Sequence, residues 1–249
     1  MTPTSTPRGA ELAEALGALQ KRLDAAASSA GRDVSEIELL PVTKFFPASD
    51  VIELMRIGCR AFGESREQEA SKKIAEVAES NYTVAIRWHM IGRIQRKKAR
   101  AVAGWAYAAH SVDGVALAEA LGRGATQAVA DGLRAEPLRV YVQLSLDGDE
   151  ARGGVDVGRP DLVDDLCGLV DATEGLQFVG LMAIPPLGVD ADESFARLES
   201  ERLRVQASYQ QRLGLSAGMS NDLETAVQHG STCVRVGTAL LGQRPLTSP

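Results

Sequence analysis

The chain has 249 residues, 27 Lys and Arg against 33 Asp and Glu, and a net charge of -6. At 45% hydrophobic it has enough apolar residue for one large core or two small ones. The acidic balance excludes a non-specific nucleic-acid binder, which runs on excess cations, and no stretch nears the ~20 apolar residues that span a bilayer as a helix.

Three scattered cysteines (Cys59, Cys167, Cys233) have no metal-ligand spacing and read as reduced thiols. The start "MTPTSTPRGA" carries no signal-peptide pattern, so a cytoplasmic protein is expected. Residues 1–8 read as a flexible leader, 9–244 as one domain and 245–249 as a tail.

In chain order, "AELAEALGALQKRLDAAASSAG" (10–31) is rich in helix formers and stops at Gly31. The apolar run "IELLPVTKF" predicts a first strand ending on Lys44, and "ASDVIELMRIG" predicts a helix capped by Ser49 or Asp50. "RAFGES" is a short second strand, "REQEASKKIAEVAES" a polar-faced helix and "AIRWHMIG" the third strand. "RIQRKKARAVA" is a short basic helix, "WAYAAHSVD" holds the fourth strand and "GVALAEALGRGATQAVADG" the next helix.

"PLRVYVQLSL" alternates Leu138, Val140, Val142 and Leu144 against Arg139, Tyr141, Gln143 and Ser145, a fifth strand. "DGDEARGGV" then reads as a Gly- and acid-rich loop, flexible enough to act as a flap. "RPDLVDDLCGLVDAT" opens its helix with Pro160, and "LQFVGLMAIP" is the sixth strand. A long amphipathic helix is expected over 191–214, with Phe195, Leu198, Val205, Tyr209 and Leu213 near one face. "GLSAGMS" and "STCVRVGTALLG" hold the last two strands, with the helix "NDLETAVQHG" between them.

Eight strands alternating with helices demand a parallel sheet, and eight units in this length match a single (β/α)8 TIM barrel with an extra N-terminal helix. A doubly wound open sheet is the rival, usually with fewer strands. In such barrels the site lies at the C-terminal ends of the strands. Those ends carry Lys44, Glu64 with Ser65, His89 to Gly92, Ser220 to Asp222, and Gly237 with Thr238.

"SAGMSND" and "VRVGTALLG" both run from strand through a glycine-bearing turn into a helix start, offering backbone N–H groups and a hydroxyl to an anion. Ser220 and Thr238 can each be simple helix caps; paired at these two positions they favour a phosphate cup. A lysine across the mouth from that cup suits a Schiff base to pyridoxal 5′-phosphate (PLP), which requires a partly desolvated amine. The alternative is a lysine paired with a carboxylate such as Glu64. Arg235, two residues before Gly237, shares its face and can meet the pyridine nitrogen; a guanidinium donates there without protonating it, which weakens the cofactor as an electron sink.

At these residues the chain resembles the pyridoxal-phosphate homeostasis family (the YggS or PROSC type), relatives of the alanine racemase barrel. The matching stretches are "LLPVTKFFP", "FGESREQE", "WHMIGRIQRKKAR", "HSVDGVALAEAL", "GLMAIPP" and "LSAGMSNDLETAVQHGSTCVRVGTALLGQR". The resemblance implies Lys44 as the Schiff-base lysine, Ser220, Gly237 and Thr238 at the phosphate, Arg235 at the ring nitrogen and Met219 lining the cup. His89, Ile91 and Gly92 would form the nearby wall. Ser65 stands where the family usually has Asn, as do Lys97 and Ser145 at other amide positions, and Leu241 replaces a common Phe.

The expected role is therefore a PLP carrier or buffer, not an enzyme, with PLP and PLP-dependent apo-enzymes as partners and a monomer as the weakly preferred state. The alternative is a racemase-like enzyme acting on amino acids. Racemization needs an acid or base on each cofactor face. With the last strand expected to end near residue 236 of 249, no β-rich second domain like that of alanine racemases is expected, and no tyrosine falls in an obvious loop after a strand. His110 can face the ring or be hydrogen-bonded in the core, and His229 reads as a charge at a helix C-terminus. "RIQRKK" reads as a solvated basic face.

Overall fold

Thr6 opens the first helix: its hydroxyl accepts from the Gly9 N–H, and Pro7 takes the first helical position, where the missing N–H has no partner to lose. Helix α1 then runs Pro7–Ser29, so it takes in Pro7 and Arg8, which the sequence reading gave to the leader. The computed structural model describes residues 6–80, 82 and 84–243; residues 1–5 and the expected tail at 245–249 lie outside them.

The following elements alternate. They are β1 Glu38–Pro41, α2 Ala48–Arg56, β2 Ala61–Glu64, α3 Glu67–Ala78, β3 Arg87–Met90 and α4 Ala99–Trp105. Next come β4 Ala108–Val112, α5 Val115–Ala130, β5 Leu138–Ser145, β6 Val155–Asp156, α6 Pro160–Ala172 and β7 Leu176–Met182. The chain continues with α7 Ala191–Gln206, β8 Gly214–Ser216, α8 Leu223–Gln228, β9 Cys233–Val236 and α9 Thr238–Leu241.

The strands pair in the order β1-β9-β8-β7-β5-β4-β3-β2, all in parallel. A bridge between Val42 and Gly63, with the Thr43 N–H on the Gly63 carbonyl at 3.0 Å, brings β1 back to β2. The result is a nearly closed eight-stranded barrel of the alanine-racemase kind, as the alternation predicts, with α1 as the extra helix.

Among the described residues there are nine strands rather than eight. The ninth, β6, pairs with β5 off the barrel path. It lies in the segment expected to be a flexible flap, and bonds tie that segment down. The Gly154 N–H donates to Asp113 Oδ2 at 3.4 Å, and Arg152 donates to the Pro185 carbonyl at 2.8 Å.

Two further expectations are corrected. Helix α2 begins after Pro47, which has no side-chain cap bond, while Asp50 in its first turn pairs with Arg8 at 2.7 Å. Helix α7 stops at Gln206 rather than near 214 because the Gln206 side chain captures the chain beyond it. Its Nε2 donates to the Tyr209 and Gln211 carbonyls and its Oε1 accepts from the Leu213 N–H at 2.7 Å. Tyr209 and Leu213 still reach the core, Tyr209 edge-on to Phe178.

The core is the layer between sheet and helices. Leu138, Val140, Val142 and Leu144 of β5 pack outward with Leu121 of α5 and Val163 and Leu166 of α6. The opposite face of β5 looks into the lumen, where Tyr141 stacks on His110 at 4.4 Å between ring centroids. Strand β5 is therefore apolar on its outer face and carries Tyr141 on its lumen face. Leu12, Leu16, Leu19 and Leu23 of α1 join the second apolar cluster, with residues of α2, α8 and α9.

Candidate functional site

The sequence brings Lys44 to the barrel mouth on a turn, three residues past the last residue of β1, rather than on the strand itself. The Phe46 N–H bonds the Thr43 carbonyl at 3.1 Å, closing a turn in which Lys44 and Phe45 are central. Phe45 has φ +69°, the one non-glycine in the left-handed region among the described residues. A bulky side chain there is strained by about 1–3 kcal/mol and persists where surrounding bonds over-determine it. The Lys44 Nζ lies 5.8 Å from the Phe45 ring centroid, and the Arg66 guanidinium 5.3 Å from the same ring.

Glu64, the carboxylate weighed as a partner for Lys44, bonds elsewhere. Its Oε1 accepts from Lys73 Nζ at 2.7 Å and from the Thr43 hydroxyl at 2.6 Å, and both residues are buried. Burial pushes the Glu64 carboxyl above its ordinary value, with Lys73 working in the opposite direction. Lys73 also donates to the Thr43 carbonyl at 2.7 Å, and Glu69 accepts the Phe45 N–H at 2.5 Å.

The loops after β8 and β9 meet. The Ser220 hydroxyl accepts from the Ala239 N–H at 3.3 Å, joining the two glycine-bearing turns singled out in the sequence. Gly218 makes the first turn possible: its φ is +89°, and a Cβ there would come within 2.5 Å of the Ala226 Cβ. Gly237 differs. A Cβ on it would rest in ordinary contact with the Val42 carbonyl oxygen at 3.6 Å and the Val42 Cβ at 3.7 Å, so the position tolerates a side chain and packs against the end of β1. Backbone approach to a bound group is a recurrent reason for glycine at such a point.

Two arginines of α1 and Arg32, just beyond its end, hold this region from outside. Arg22 donates to the Ser220 carbonyl at 3.1 Å and forks onto Glu224 at 2.8 and 2.9 Å. Arg8 bonds the Leu241 carbonyl at 2.9 Å, and Arg32 bonds the Val227 and Ser231 carbonyls.

Arg235 is buried, as its alternation with Gly237 requires. Nη1 donates to Ser216 Oγ at 2.6 Å and Nη2 to the Ala183 carbonyl at 3.1 Å. A guanidinium has five N–H groups, so donors remain for a ring nitrogen.

Behind Ser216 the contacts continue across the lumen. His110 Nδ1 lies 2.7 Å from Ser216 Oγ, His110 Nε2 lies 2.9 Å from His89 Nδ1, and His89 Nε2 faces Glu38 at 3.9 Å. Arginine can only donate, so Ser216 Oγ accepts from Arg235, while the directions along His110 and His89 follow from their tautomers. Burial, with Arg87 and Arg139 adding to it, pushes His89 down to about 3; burial, then His89 and Arg235, pushes His110 well below its ordinary value. Both rings are neutral at pH 7.

The structure thus joins Ser220 to the loop of Gly237 and Thr238, and sets Gly237 beside Val42, two residues before Lys44. Thr238 and Met219 are exposed at the rim, with the Met219 N–H on Asp222 Oδ1 at 2.5 Å. His89 lies deeper than the wall it was expected to form, bonded to His110 and facing Glu38. Ser65 lines a different feature, a groove of about 900 Å³ shared with Phe45, Phe46, Glu69, Lys73 and Arg93. His229 ends α8 and contacts Asp192 at 2.9 Å and Glu199 at 3.2 Å of α7. Burial opposes its charge, yet the two carboxylates hold its pKa above the ordinary value.

Sequence reasoning missed Glu69, Lys73, Arg22 and Ser216. Of these, Glu69 and Lys73 left a readable signal, an i,i+4 acid–base pair.

The model of the alanine racemase N-terminal domain matches residues 15–245. A pyridoxal phosphate homeostasis protein of Mycobacterium bovis is 60% identical, over 97% of this chain and 96% of that protein. Its counterpart in Corynebacterium glutamicum is 44% identical over 92% of this chain and all of that protein. Among solved structures, PipY of Synechococcus elongatus with PLP bound superposes with a TM-score of 0.76 at 32% identity, covering 93% of this chain and all of PipY. Alanine racemase from Corynebacterium glutamicum shares the fold at a TM-score of 0.65 and 15% identity, with the match spanning 61% of that longer enzyme. On its family model, its relatives and its barrel, the chain belongs to the pyridoxal phosphate homeostasis proteins of the alanine racemase N-terminal domain family.

Proposed function

We propose that this protein binds pyridoxal 5′-phosphate reversibly at the C-terminal mouth of the barrel and acts in the cytoplasm as a PLP carrier or buffer. PLP when bound supplies an aldehyde that a lysine amine can capture as a Schiff base, with water leaving. Lys44 is the amine. The Ser220 hydroxyl and the backbone around Gly237 and Thr238 receive the phosphate, with Met219 at the rim. Arg235 donates to the ring nitrogen and keeps it unprotonated.

The observation that carries the reading is the junction of the two turns beside the end of β1: the Ser220 hydroxyl on the Ala239 N–H, and Gly237 against Val42. The buried Arg235 beneath supports it, as do the relatives named above. His89 contributes through the lumen contacts rather than as a wall, and Ser65 lines the outer groove next to the Lys44 turn. Arg235 also argues for a carrier: a ring nitrogen without a proton is a poor electron sink, so bond-breaking at an amino-acid α-carbon is disfavoured. PLP-dependent apo-enzymes are the recipients, and the protein acts as a monomer.

The test is the visible spectrum of purified protein incubated with PLP. The reading expects a Schiff-base band that Lys44→Ala removes while the barrel stays folded. A band unchanged in Lys44→Ala overturns it.

A further inference from the structure

The peptide units on both sides of Lys44 are gripped by one buried charge cluster. Lys73 Nζ donates to the Thr43 carbonyl at 2.7 Å, and Glu69 Oε1 accepts the Phe45 N–H at 2.5 Å. The two gripping groups touch each other at 3.3 Å, and Lys73 is in turn fixed by Glu64 at 2.7 Å. Glu64 closes the loop by accepting from the Thr43 hydroxyl at 2.6 Å. Three side chains from the end of β2 and one face of α3 thereby define the turn that follows β1.

That turn is otherwise unfavourable. Phe45 sits at φ +69°, a conformation that a phenylalanine leaves when nothing holds it. The Phe45 N–H bonded to Glu69 belongs to the peptide immediately after Lys44. Releasing it lets Phe45 relax and swings the Lys44 side chain with it. Glu69 and Lys73 themselves belong to the outer groove, not to the phosphate loops or to the lumen contacts that end on Arg235.

We propose that Glu69 and Lys73 are positioning residues for Lys44: they hold its flanking peptides so that the amine is presented to the aldehyde carbon of a ligand seated at the mouth. The inference rests on the reading of Lys44 above. In the step concerned the lone pair of the neutral Lys44 amine forms a C–N bond at the aldehyde carbon, both amine protons pass to the carbonyl oxygen, which leaves as water as the C=N bond replaces C=O, and no redox partner is needed. The clamp acts on this step alone and not on the phosphate or ring contacts.

The experiment compares two probes, PLP and pyridoxine 5′-phosphate, which has an alcohol where PLP has the aldehyde and cannot form the Schiff base. Glu69→Ala removes the acceptor from a partly exposed side chain and leaves the Glu64–Lys73 pair intact. It is expected to weaken PLP binding about tenfold, the equilibrium consequence of losing one charge-assisted hydrogen bond, while pyridoxine 5′-phosphate binds within about twofold of wild type. Glu69→Gln keeps an oxygen acceptor for the Phe45 N–H and restores PLP binding and the visible band. If Glu69→Ala weakens both probes equally, or neither, the clamp is overturned. Lys44→Ala serves as the reference. If it leaves the preference for PLP over pyridoxine 5′-phosphate unchanged, the Schiff-base reading itself fails; if it abolishes that preference while Glu69→Ala keeps it, the clamp alone fails.

Discussion

Replacing Lys73 by methionine isolates the energy of the charge cluster under the Lys44 turn. Glu64 is fully buried and the Lys73 side chain is 5% exposed, so the pair has little water to fall back on. Removing one partner of a buried ion pair costs about 3–5 kcal/mol, mostly for the charge left behind. A second route sets a ceiling. Glu64 can take a proton instead; for a carboxyl of ordinary pKa 4.5 that costs about 3.4 kcal/mol at pH 7, at ~1.36 kcal/mol per unit. The Thr43 carbonyl keeps the Phe46 N–H, and methionine fills most of the lysine stem volume, so other losses are small.

The expected deficit is therefore about 3 kcal/mol at pH 7, falling below about 1 kcal/mol at pH 5. The sign follows from proton counting: the folded variant holds a proton on Glu64 that the unfolded chain releases above pH 4.5, so its stability falls as pH rises. Urea unfolding at the two pH values measures both numbers. Adding Glu64→Gln, which still accepts the Thr43 hydroxyl, should recover most of the loss at pH 7. A deficit under about 1 kcal/mol at pH 7, or one that is equal at both pH values, refutes the reasoning.

The neutral histidines of the lumen give a pH dependence of the opposite sign. Folded His89 resists protonation down to about 3, while the unfolded residue takes a proton below 6.5. Stability is thus fully present above 6.5 and is lost as pH falls toward 3, by up to about 1.4 kcal/mol per pH unit for this group. His89→Gln should flatten the fall between pH 6.5 and 5 in denaturant unfolding. An identical slope in the variant contradicts the assignment. Arg22→Ala removes the bond to the Ser220 carbonyl from a half-exposed pair, so stability should change by less than about 1 kcal/mol. PLP and pyridoxine 5′-phosphate should both bind several-fold more weakly by equilibrium dialysis, because the phosphate loop is loosened. Unchanged affinity for both would separate that loop from the ligand.

The barrel was legible because its evidence is local. Each strand run and each helix start lies within one short window, and alternation alone demands parallel pairing. The two glycine-bearing turns that meet at Ser220 and Ala239 were legible for the same reason, as strand, glycine and helix start. What escaped detection acts at a distance. Ser216 lies 106 residues from His110, and Arg22 lies 198 from Ser220, so no pattern in one stretch announces either bond.

Glu69 and Lys73 lie in a helix read only as polar-faced, because a charge on a helix reports its sign and not its burial. Helix α7 ended early through one side chain, Gln206, whose amide does the work usually given to glycine. The strand β6 was hidden in a segment of Gly and Asp that binary patterning treats as loop.

The central proposal is chemical, that Lys44 is the amine that captures PLP. Reducing the PLP-loaded protein with borohydride and mapping the modified peptide by mass spectrometry tests it directly. The account predicts a stable phosphopyridoxyl group on the peptide that contains Lys44. A group found on another lysine, or no covalent group in a protein that still retains PLP, contradicts it.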